Sequence, residues 1–272
     1  MRKTIIGIGC ALALTVSLAA CGSPSGNSGT ATTTTTTAAV SSSVDSAAYA
    51  SLQKVQNNLK NIKDAAFNLN MHLTLSGKSI GDIHTAMSGA GKRVVTANNH
   101  TDLMMDVNTT AVGKTVNEKV YVKDNMVYSN VAGKKIKVGS DSQSATPTTG
   151  QNLLEVSRDM LSGLSAAKSG QDTVYTFSVK PDKAFNYFKQ NAGGSANQLL
   201  SSGTATFSKM DITAVAGPDD QVKSMTMNCA MSTKLNSTAV NIAFKLTTEF
   251  TSVNTGLTIQ FPDFSQYKAT SL

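Results

Sequence analysis

Apolar residues follow two periods along the chain, and each period predicts a different element. From about residue 47 to residue 61 they recur at steps of three and four, which predicts an amphipathic helix with one apolar face, formed by Tyr49, Leu52, Val55, Leu59 and Ile62. The period then becomes two, which predicts a half-buried strand whose apolar side carries Phe67, Leu69, Met71, Leu73 and Leu75. Similar alternation or β-branched enrichment predicts strands near 82–90, 101–110, 115–123, 126–131 and 134–139.

The middle of the chain mixes helical and strand patterns. Leucines at helical spacing predict a helix over 151–167, with Leu153, Leu154, Leu161 and Leu164 on one side. A strand is predicted through 174–179. Pro181 suits a first helical position, so it predicts a second helix over 182–200. The Ser/Thr/Gly-rich stretch 139–150 is predicted to be a mobile loop.

The last third of the chain predicts long antiparallel strands near 204–215, 221–233, 238–252 and 256–261. A two-residue turn at Asn236–Ser237 would place apolar residues opposite one another, as Met231 with Ile242, Cys229 with Phe244, and Met227 with Leu246. A slip of one residue would move all these side chains to the other face, so the agreement favours this hairpin. A turn at 217–220 adds another strand, which brings Met210 and Ile212 to Met227 and Met225.

Together these elements predict an α+β fold. One curved antiparallel sheet forms an unclosed half-barrel, with helices packed on its concave face. No second linker follows residue 46, so residues 47–272 are predicted to form a single domain. The apolar face of the sheet is the candidate ligand-binding surface, and its predicted lining is Leu69, Met71, Leu73, Met210, Ile212, Met225, Met227, Met231, Ile242, Phe244 and Leu246. Its methionines suit either a cavity for varied acyl chains or gap-filling in an aromatic-poor core.

The first twenty residues are typical of a signal peptide. Arg2 and Lys3 precede an apolar stretch from Ile5 to Leu18, which is short for a transmembrane span. The stretch ends in Leu18-Ala19-Ala20-Cys21, which resembles the lipobox of bacterial lipoproteins. The resemblance implies that the thiol of Cys21 receives a diacylglycerol and that a peptidase cuts before it. The mature protein would then be anchored on the outer face of the cell membrane.

Residues 21–46 are predicted to combine this lipid anchor with a disordered tether. The segment is rich in Gly, Ser and Thr, and Asp45 is its one charged residue. Such a composition buries too little apolar surface to offset the entropy lost on ordering. A flexible coil of this length spans roughly 25–30 Å.

Composition and charge narrow the classes of function. The net charge of +7 includes no dense Lys/Arg run, so it argues against nucleic acid as a partner and fits a protein that faces an anionic surface. Cys10 lies in the signal peptide and Cys21 is the predicted anchor. Cys229 is therefore left alone, and no internal disulfide is expected. The chain has no nucleophile elbow, zincin helix or Rossmann fingerprint, so a non-enzymatic protein without a cofactor is predicted.

Two polar clusters have a further chemical interpretation. His72 and His84 are expected to approach each other across the first hairpin, but only Asp82 could join them, so no metal site is predicted. Lysines on neighbouring strands predict a basic surface, which is either a solvated face or a contact for anionic lipid headgroups or teichoic acid. They are Lys114, Lys119, Lys123, Lys134, Lys135 and Lys137.

Three further segments carry a resemblance to a known family. They are the helix-to-strand start from Tyr49 to Leu75, the hairpin from Val120 to Tyr128 that leads into Gly133-Lys134-Lys135, and the ending from Leu257 to Pro262. With the lipobox, these segments resemble the LolA/LppX-like half-barrel superfamily of bacterial lipoproteins and lipid carriers, and uncharacterised lipoproteins of Gram-positive bacteria. The resemblance implies an unclosed antiparallel barrel whose concave face, plugged by helices, holds acyl chains.

The sequence therefore favours a membrane-anchored, extracytoplasmic lipoprotein that binds or carries a lipid or glycolipid. The predicted helices over 151–167 and 182–200 would control access to the ligand. The alternative is a structural or interaction lipoprotein of the cell envelope, with a filled core and no ligand. The size of the internal cavity distinguishes the two, because a ligand needs several hundred cubic ångströms of connected apolar space. The sequence identifies no protein partner.

Overall fold

Strands make up most of the folded chain. The computed structural model describes residues 43–78, 80–97, 100–139, 151–191, 205–235 and 238–269. Within these ranges there are twelve strands: β1 (Asp64–Gly77), β2 (Gly81–Val95), β3 (Thr101–Ala111), β4 (Lys114–Lys123), β5 (Met126–Val131), β6 (Lys134–Gly139), β7 (Leu161–Ser169), β8 (Asp172–Val179), β9 (Thr206–Ala216), β10 (Val222–Leu235), β11 (Thr238–Val253) and β12 (Lys268–Ala269).

All twelve strands belong to one sheet, in the spatial order β12-β6-β5-β4-β3-β2-β1-β11-β10-β9-β8-β7. Neighbouring strands are antiparallel except for β12 and β6, which are parallel. The strands predicted from β1 to β6 and at β8 are confirmed. Since β12 and β7 stand at opposite ends of this order, the sheet is open.

Two α-helices accompany the sheet, α1 (Ser46–Lys60) and α2 (Pro181–Asn191). The Asp45 carboxylate caps α1, because it accepts hydrogen bonds from the backbone N–H groups of Ala47 and Ala48 at 2.8 and 3.0 Å. Val44 forms an isolated bridge with Leu164 of β7. Contacts with the sheet therefore begin a few residues inside the range that was expected to be a tether.

The hairpin between β10 and β11 has the predicted register. Met231 lies opposite Ile242, Cys229 opposite Phe244, and Met227 opposite Leu246. β11 then continues the sheet onto β1, so a strand from the end of the chain pairs with the first strand.

The predicted register between β9 and β10 is wrong by two residues. Met210 lies opposite Cys229 rather than Met227, and Ile212 lies opposite Met227 rather than Met225. Five residues connect Ala216 to Val222, and a bulge follows Val222. The connection and the bulge together shift the pairing of β10 on β9 by two residues from that expected for a two-residue turn. An even shift preserves the face, and these side chains keep the predicted orientation.

The predicted helix over 151–167 is also wrong. The chain forms two short 3₁₀ helices, Gln151–Leu154 and Arg158–Met160, and then enters β7. Leu161 and Leu164 face the core from a strand, opposite Val179 and Phe177 of β8. Ser162, Gly163 and Ser165 weaken the helical preference of this segment, and pairing with β8 outweighs it.

The strand predicted over 256–261 is absent. Residues 257–264 have no regular secondary structure, and the chain crosses the outer side of the sheet before β12 pairs with β6. We call Phe261–Tyr267 the C-terminal strap. It packs aromatic rings against Tyr121 and Tyr128, and the Phe264 and Tyr128 rings stack at 3.7 Å between centroids.

A side chain is missing from the inner face at β2. Gly91 pairs with Phe67 on one side and Met105 on the other, and a Cβ atom there would lie 2.6 Å from Phe67 Cζ. The missing side chain therefore lets the Phe67 ring cover β2. The predicted α+β class, an unclosed antiparallel half-barrel with helices on its concave face, is confirmed. Residues 192–200 of the second predicted helix and 140–150 of the predicted loop lie outside the described residues.

Candidate ligand-binding site

The eleven residues predicted to line a ligand site lie on one side of the sheet, which we call the inner face. One row of side chains crosses six strands from β7 to β1 as Leu164, Phe177, Ile212, Met227, Leu246 and Met71. A parallel row contains Met210, Cys229, Phe244 and Leu73. All eleven side chains are at most 6% exposed. Strand alternation thus gathers distant parts of the chain into one apolar surface.

Both α-helices cover this surface. Leu52 and Val55 of α1 are fully buried in the same hydrophobic cluster as the inner-face residues. Phe188 of α2 contacts the rings of Phe207 on β9 and Phe244 on β11, with centroids 5.5 and 5.6 Å away. Both helices therefore pack on the inner face.

Buried polar contacts hold the helical layer together. The Tyr187 hydroxyl of α2 donates to the Leu153 carbonyl, and burial raises the pKa of Tyr187 far above its ordinary value. The Gln56 side-chain amide of α1 donates to the carbonyl of Leu154 at 2.6 Å. The 3₁₀ helix at 151–154 thus links α1 to α2, although it is not the long helix that the leucine spacing predicted.

A cleft opens beside the first turn of α2. It encloses about 220 Å³, and its floor contains Ala184, Phe207 and Met210. Its rim is polar, with Lys209 and Asp211 forming an ion pair at 3.2 Å. Met210 belongs to the predicted lining, so the cleft reaches the edge of the inner face. Two further pockets, one beside Leu59 and Val222 and one beside His72 and His84, lie away from the centre of that face.

Cys229 lies within the apolar rows. It is buried between Met210 and Phe244, and burial raises the pKa of its thiol to about 12. The thiol therefore stays protonated at physiological pH and acts as a small apolar side chain.

The inner face also carries a polar pair that the sequence reasoning missed. Glu118 on β4 lies opposite Val107 and Val131, and its carboxylate accepts a hydrogen bond from the hydroxyl of buried Ser129. Burial raises the pKa of the Glu118 carboxyl. Alternate residues of a strand share a face, and Glu118 stands between Val116 and Val120 in this alternation. The sequence could therefore have placed Glu118 on the inner face.

The two histidines do not form a facing pair. His84 lies opposite Thr74, whose hydroxyl is 3.1 Å from the His84 Nδ1 atom, and His72 lies opposite Ala86. The hairpin register therefore differs by two residues from the predicted one. Both imidazoles border a groove of about 460 Å³ that also contains Val112. Within the described ranges, no group of three His, Cys, Asp or Glu residues could hold a metal ion.

The predicted basic surface is divided between the two sides of the sheet. Lys119, Lys123 and Lys135 lie on the outer side, where they face Asp106, Phe261 and Tyr267 respectively. Lys137 shares that side, whereas alternation places Lys114 and Lys134 on the opposite one. The strap thus uses two of these lysines in cation–π contacts, and the six do not form one surface.

The predicted anchor Cys21, the signal peptide and most of the predicted tether lie outside the described residues. Among the described helices, none is both long and apolar enough to cross a membrane. Anchoring through Cys21 therefore stays a prediction.

Comparison with known proteins finds likeness in solved structures alone. No protein-family model matches the chain, and no curated protein sequence matches it. LprF from Mycobacterium bovis is similar at a TM-score of 0.47 and 11% identity, covering 81% of this chain and 99% of that one. A DUF1329 family protein from Desulfovibrio piger is similar at a TM-score of 0.30 and 8% identity, with 78% and 95% coverage. A LolA superfamily protein from Nitrosomonas europaea has a TM-score of 0.21 and 6% identity, with 76% and 92% coverage.

These neighbours bear on the resemblance that the sequence suggested. LprF and a LolA superfamily protein, which are of the kind that the sequence resemblance named, are among the similar structures. A special closeness to Gram-positive lipoproteins stays a prediction. With TM-scores below 0.5, the similarity carries no statement about ligand or activity, and the function has to be argued from this chain's own geometry.

Proposed function

We propose that this protein is a membrane-anchored, extracytoplasmic lipoprotein that binds a hydrophobic ligand, a lipid or glycolipid, inside its half-barrel. The observation that carries the proposal is the pair of apolar rows that cross the inner face without interruption beneath two helices. Burial of apolar surface would hold the ligand, and no catalytic residue or cofactor takes part.

The site would be the predicted set of eleven inner-face residues. Four of these residues are methionines of β9 and β10, namely Met210, Met225, Met227 and Met231. Methionine is unbranched and polarisable, so such a surface could adapt to acyl chains of different shape.

Access would run through the cleft beside α2. Its volume of about 220 Å³ is smaller than a typical ligand pocket of about 300 to 1,000 Å³, so α2 would have to move before a whole acyl chain could enter. The apolar floor and polar rim suit an amphiphile, whose chain would enter beside Phe207 while its headgroup stays near Lys209 and Asp211.

Narrowing the cleft tests the ligand proposal. Ala184 is fully buried on α2, so Ala184→Leu would fill the floor of the cleft. Loading of a fluorescent fatty acid into the full chain should fall at least fivefold, while circular dichroism stays unchanged. Ala243→Leu is the matched control, because Ala243 is exposed on the outer side of β11. Equal loading of both variants would contradict access through this cleft.

The proposed location at the membrane depends on Cys21. Residues 1–20 would be removed as a signal peptide, 21–46 would carry the lipid and the tether, and 47–272 would form one half-barrel domain. Cys21→Ala should move the protein out of the membrane fraction or leave it unprocessed. Unchanged fractionation together with an N-terminal peptide that carries no lipid mass would contradict the anchor.

A second candidate function has an observation in its favour. All eleven inner-face side chains are buried against neighbouring residues, which suits a filled core in a structural or interaction lipoprotein. In that case the protein would act through contacts at the cell envelope and bind no lipid. A purified full chain that carries no non-covalent lipid and takes up none would favour this candidate.

A further inference from the structure

Three hairpin tips at one end of the sheet form a basic surface outside the proposed ligand site. They are the tips between β1 and β2, between β3 and β4, and between β10 and β11, and antiparallel pairing places them at the same end of their strands. They carry the exposed lysines Lys78, Lys114 and Lys234. We call these three lysines and Val112 the tip surface.

The first and third tips are neighbours in space. A Cβ atom on Gly77 would lie 2.9 Å from the Ala239 carbonyl oxygen. Val112 and Gly113 of the second tip border the same groove as Ile83 and His84 of β2. The three tips therefore lie along the same end of the sheet.

The three lysines have no carboxylate partner. None of them forms an ion pair with any residue that the structure describes, and the groove beside the second tip contains one carboxylate, that of Asp82. The turns at the opposite end of the strands carry both signs of charge, because Lys123 adjoins Asp124 and Lys223 follows Asp219 and Asp220. The three tips carry lysines without such neighbours, and a positive surface attracts an anionic partner.

Val112 is an apolar residue at a turn position that is exposed to solvent and that has a backbone conformation unfavourable for valine. It is 83% exposed, and its φ of 50° lies in the left-handed region, where β-branched residues are rare. The equivalent turn between β4 and β5 uses Asp124 and Asn125, which tolerate this conformation. Backbone strain at an exposed position is typical of a site kept for function.

We propose that the tip surface docks on an anionic phospholipid membrane. The three lysines would lie among the phosphate headgroups while Val112 enters the boundary between headgroups and acyl chains. The proposal rests on charge and exposure at the hairpin tips. It does not depend on ligand binding at the inner face, and the two proposals are tested separately.

Vesicle binding of the full chain tests the proposal. Vesicles of phosphatidylcholine, alone or with one third phosphatidylglycerol, are sedimented with the protein, and the ratio of the two affinities is compared between variants. Any binding by residues outside the tips is common to all variants and cancels. The triple variant Lys78→Gln, Lys114→Gln and Lys234→Gln should lower the preference for anionic vesicles at least tenfold, since each surface lysine contributes about a fivefold effect.

A matched variant separates docking from net charge. Lys54, Lys60 and Lys245 are exposed lysines away from the tips, and changing all three to Gln removes the same charge. This control should lower the anionic preference less than threefold. Equal losses in the two triple variants, or no loss in the tip variant, would overturn the proposal.

Val112→Asn tests the apolar contact without harming the fold, because Asn–Gly is the preferred sequence for such a turn. It should weaken binding to anionic vesicles about threefold or more and raise the unfolding temperature. Soluble polyglycerol phosphate identifies the source of the anionic groups. If the lysine variant loses polymer binding as strongly as vesicle binding while Val112→Asn changes neither, an anionic polymer replaces the membrane and the proposal fails.

Discussion

The two halves of the sheet are stabilised from opposite sides. From β7 through β11 to β1, the inner face is covered by α1 and α2, and its rows are apolar across six strands. From β4 to β6, the C-terminal strap covers the outer side with aromatic rings and two cation–π contacts. The inner side of this second half carries the polar pair Glu118–Ser129.

The two halves of the sheet would have different roles in the proposed function. Under the proposed function, the packing of the helix-covered half would have to be stable and still able to open, because this half contains the predicted lining. The strap-covered half is fastened from outside in addition, since Val120 and Val127 on its inner side belong to the same hydrophobic cluster. Gly91 of β2 lies between the halves, where the Phe67 ring comes close to its backbone.

The largest effect is expected in the helix-covered half. Phe177 is fully buried in the six-strand row, so Phe177→Ala should lower the free energy of unfolding by about 3 to 5 kcal/mol. Urea denaturation measures this loss. Phe250→Ala is the matched control, because Phe250 on β11 is only partly buried and should cost clearly less. Similar losses at both positions would mean that the row is not the centre of stability.

Gly91, between the halves, should be the next most sensitive position. Gly91→Ala places a methyl group against the Phe67 ring and should cost about 1 to 3 kcal/mol in unfolding free energy. At Gly139 no atom lies within 4 Å of an added Cβ, so Gly139→Ala should be nearly neutral. A neutral Gly91→Ala would show that the packing of Phe67 does not depend on a missing side chain there.

The strap should protect its own half of the sheet selectively. Phe264→Ala removes the ring that stacks on Tyr128 and should cost about 1 to 2 kcal/mol. Hydrogen exchange should speed up in β4 to β6 and stay unchanged in β8 to β11. Faster exchange throughout the sheet would contradict separate stabilisation of the halves.

The smallest effect concerns pH and the buried thiol of Cys229. Burial raises the pKa of Cys229 from 9.0 to about 12, so the unfolded chain loses its proton first. The stabilisation is complete below pH 9 and is lost as pH rises towards 12, by about 1 kcal/mol between pH 9 and pH 10. Denaturation of the wild type and Cys229→Ala isolates this difference. Parallel stability curves for the two proteins would contradict a buried, neutral thiol.

Sequence reasoning succeeded where local pattern determines structure. The register of β10 on β11 follows from a tight turn and from the need to keep Met227, Cys229 and Met231 on one face. α1 follows from its apolar spacing. The predicted register of β9 on β10 is wrong because the hydrophobic pattern does not reveal the bulge after Val222.

Other features depend on contacts that no local pattern reveals. Leu161 and Leu164 fit a helical spacing, but pairing with β8 makes them strand residues. The strap has no periodicity, and its rings meet Tyr121 and Tyr128 from more than a hundred residues away. Glu118 was overlooked because a charged residue in a strand is ordinarily assigned to the solvent side. The strap contacts are distant in the chain, whereas Leu164 and Glu118 are misassigned although their partners Phe177 and Ser129 are close in sequence.

Lipid content of the purified full chain tests the central claim most directly. After mild detergent extraction, native mass spectrometry resolves the mass of the chain, any covalent lipid on Cys21, and any additional non-covalent ligand. The account predicts about one lipid-sized adduct per chain, which is removed by organic solvent and reduced in Ala184→Leu. A wild-type chain that carries no such adduct, and acquires none from added lipid, would contradict it.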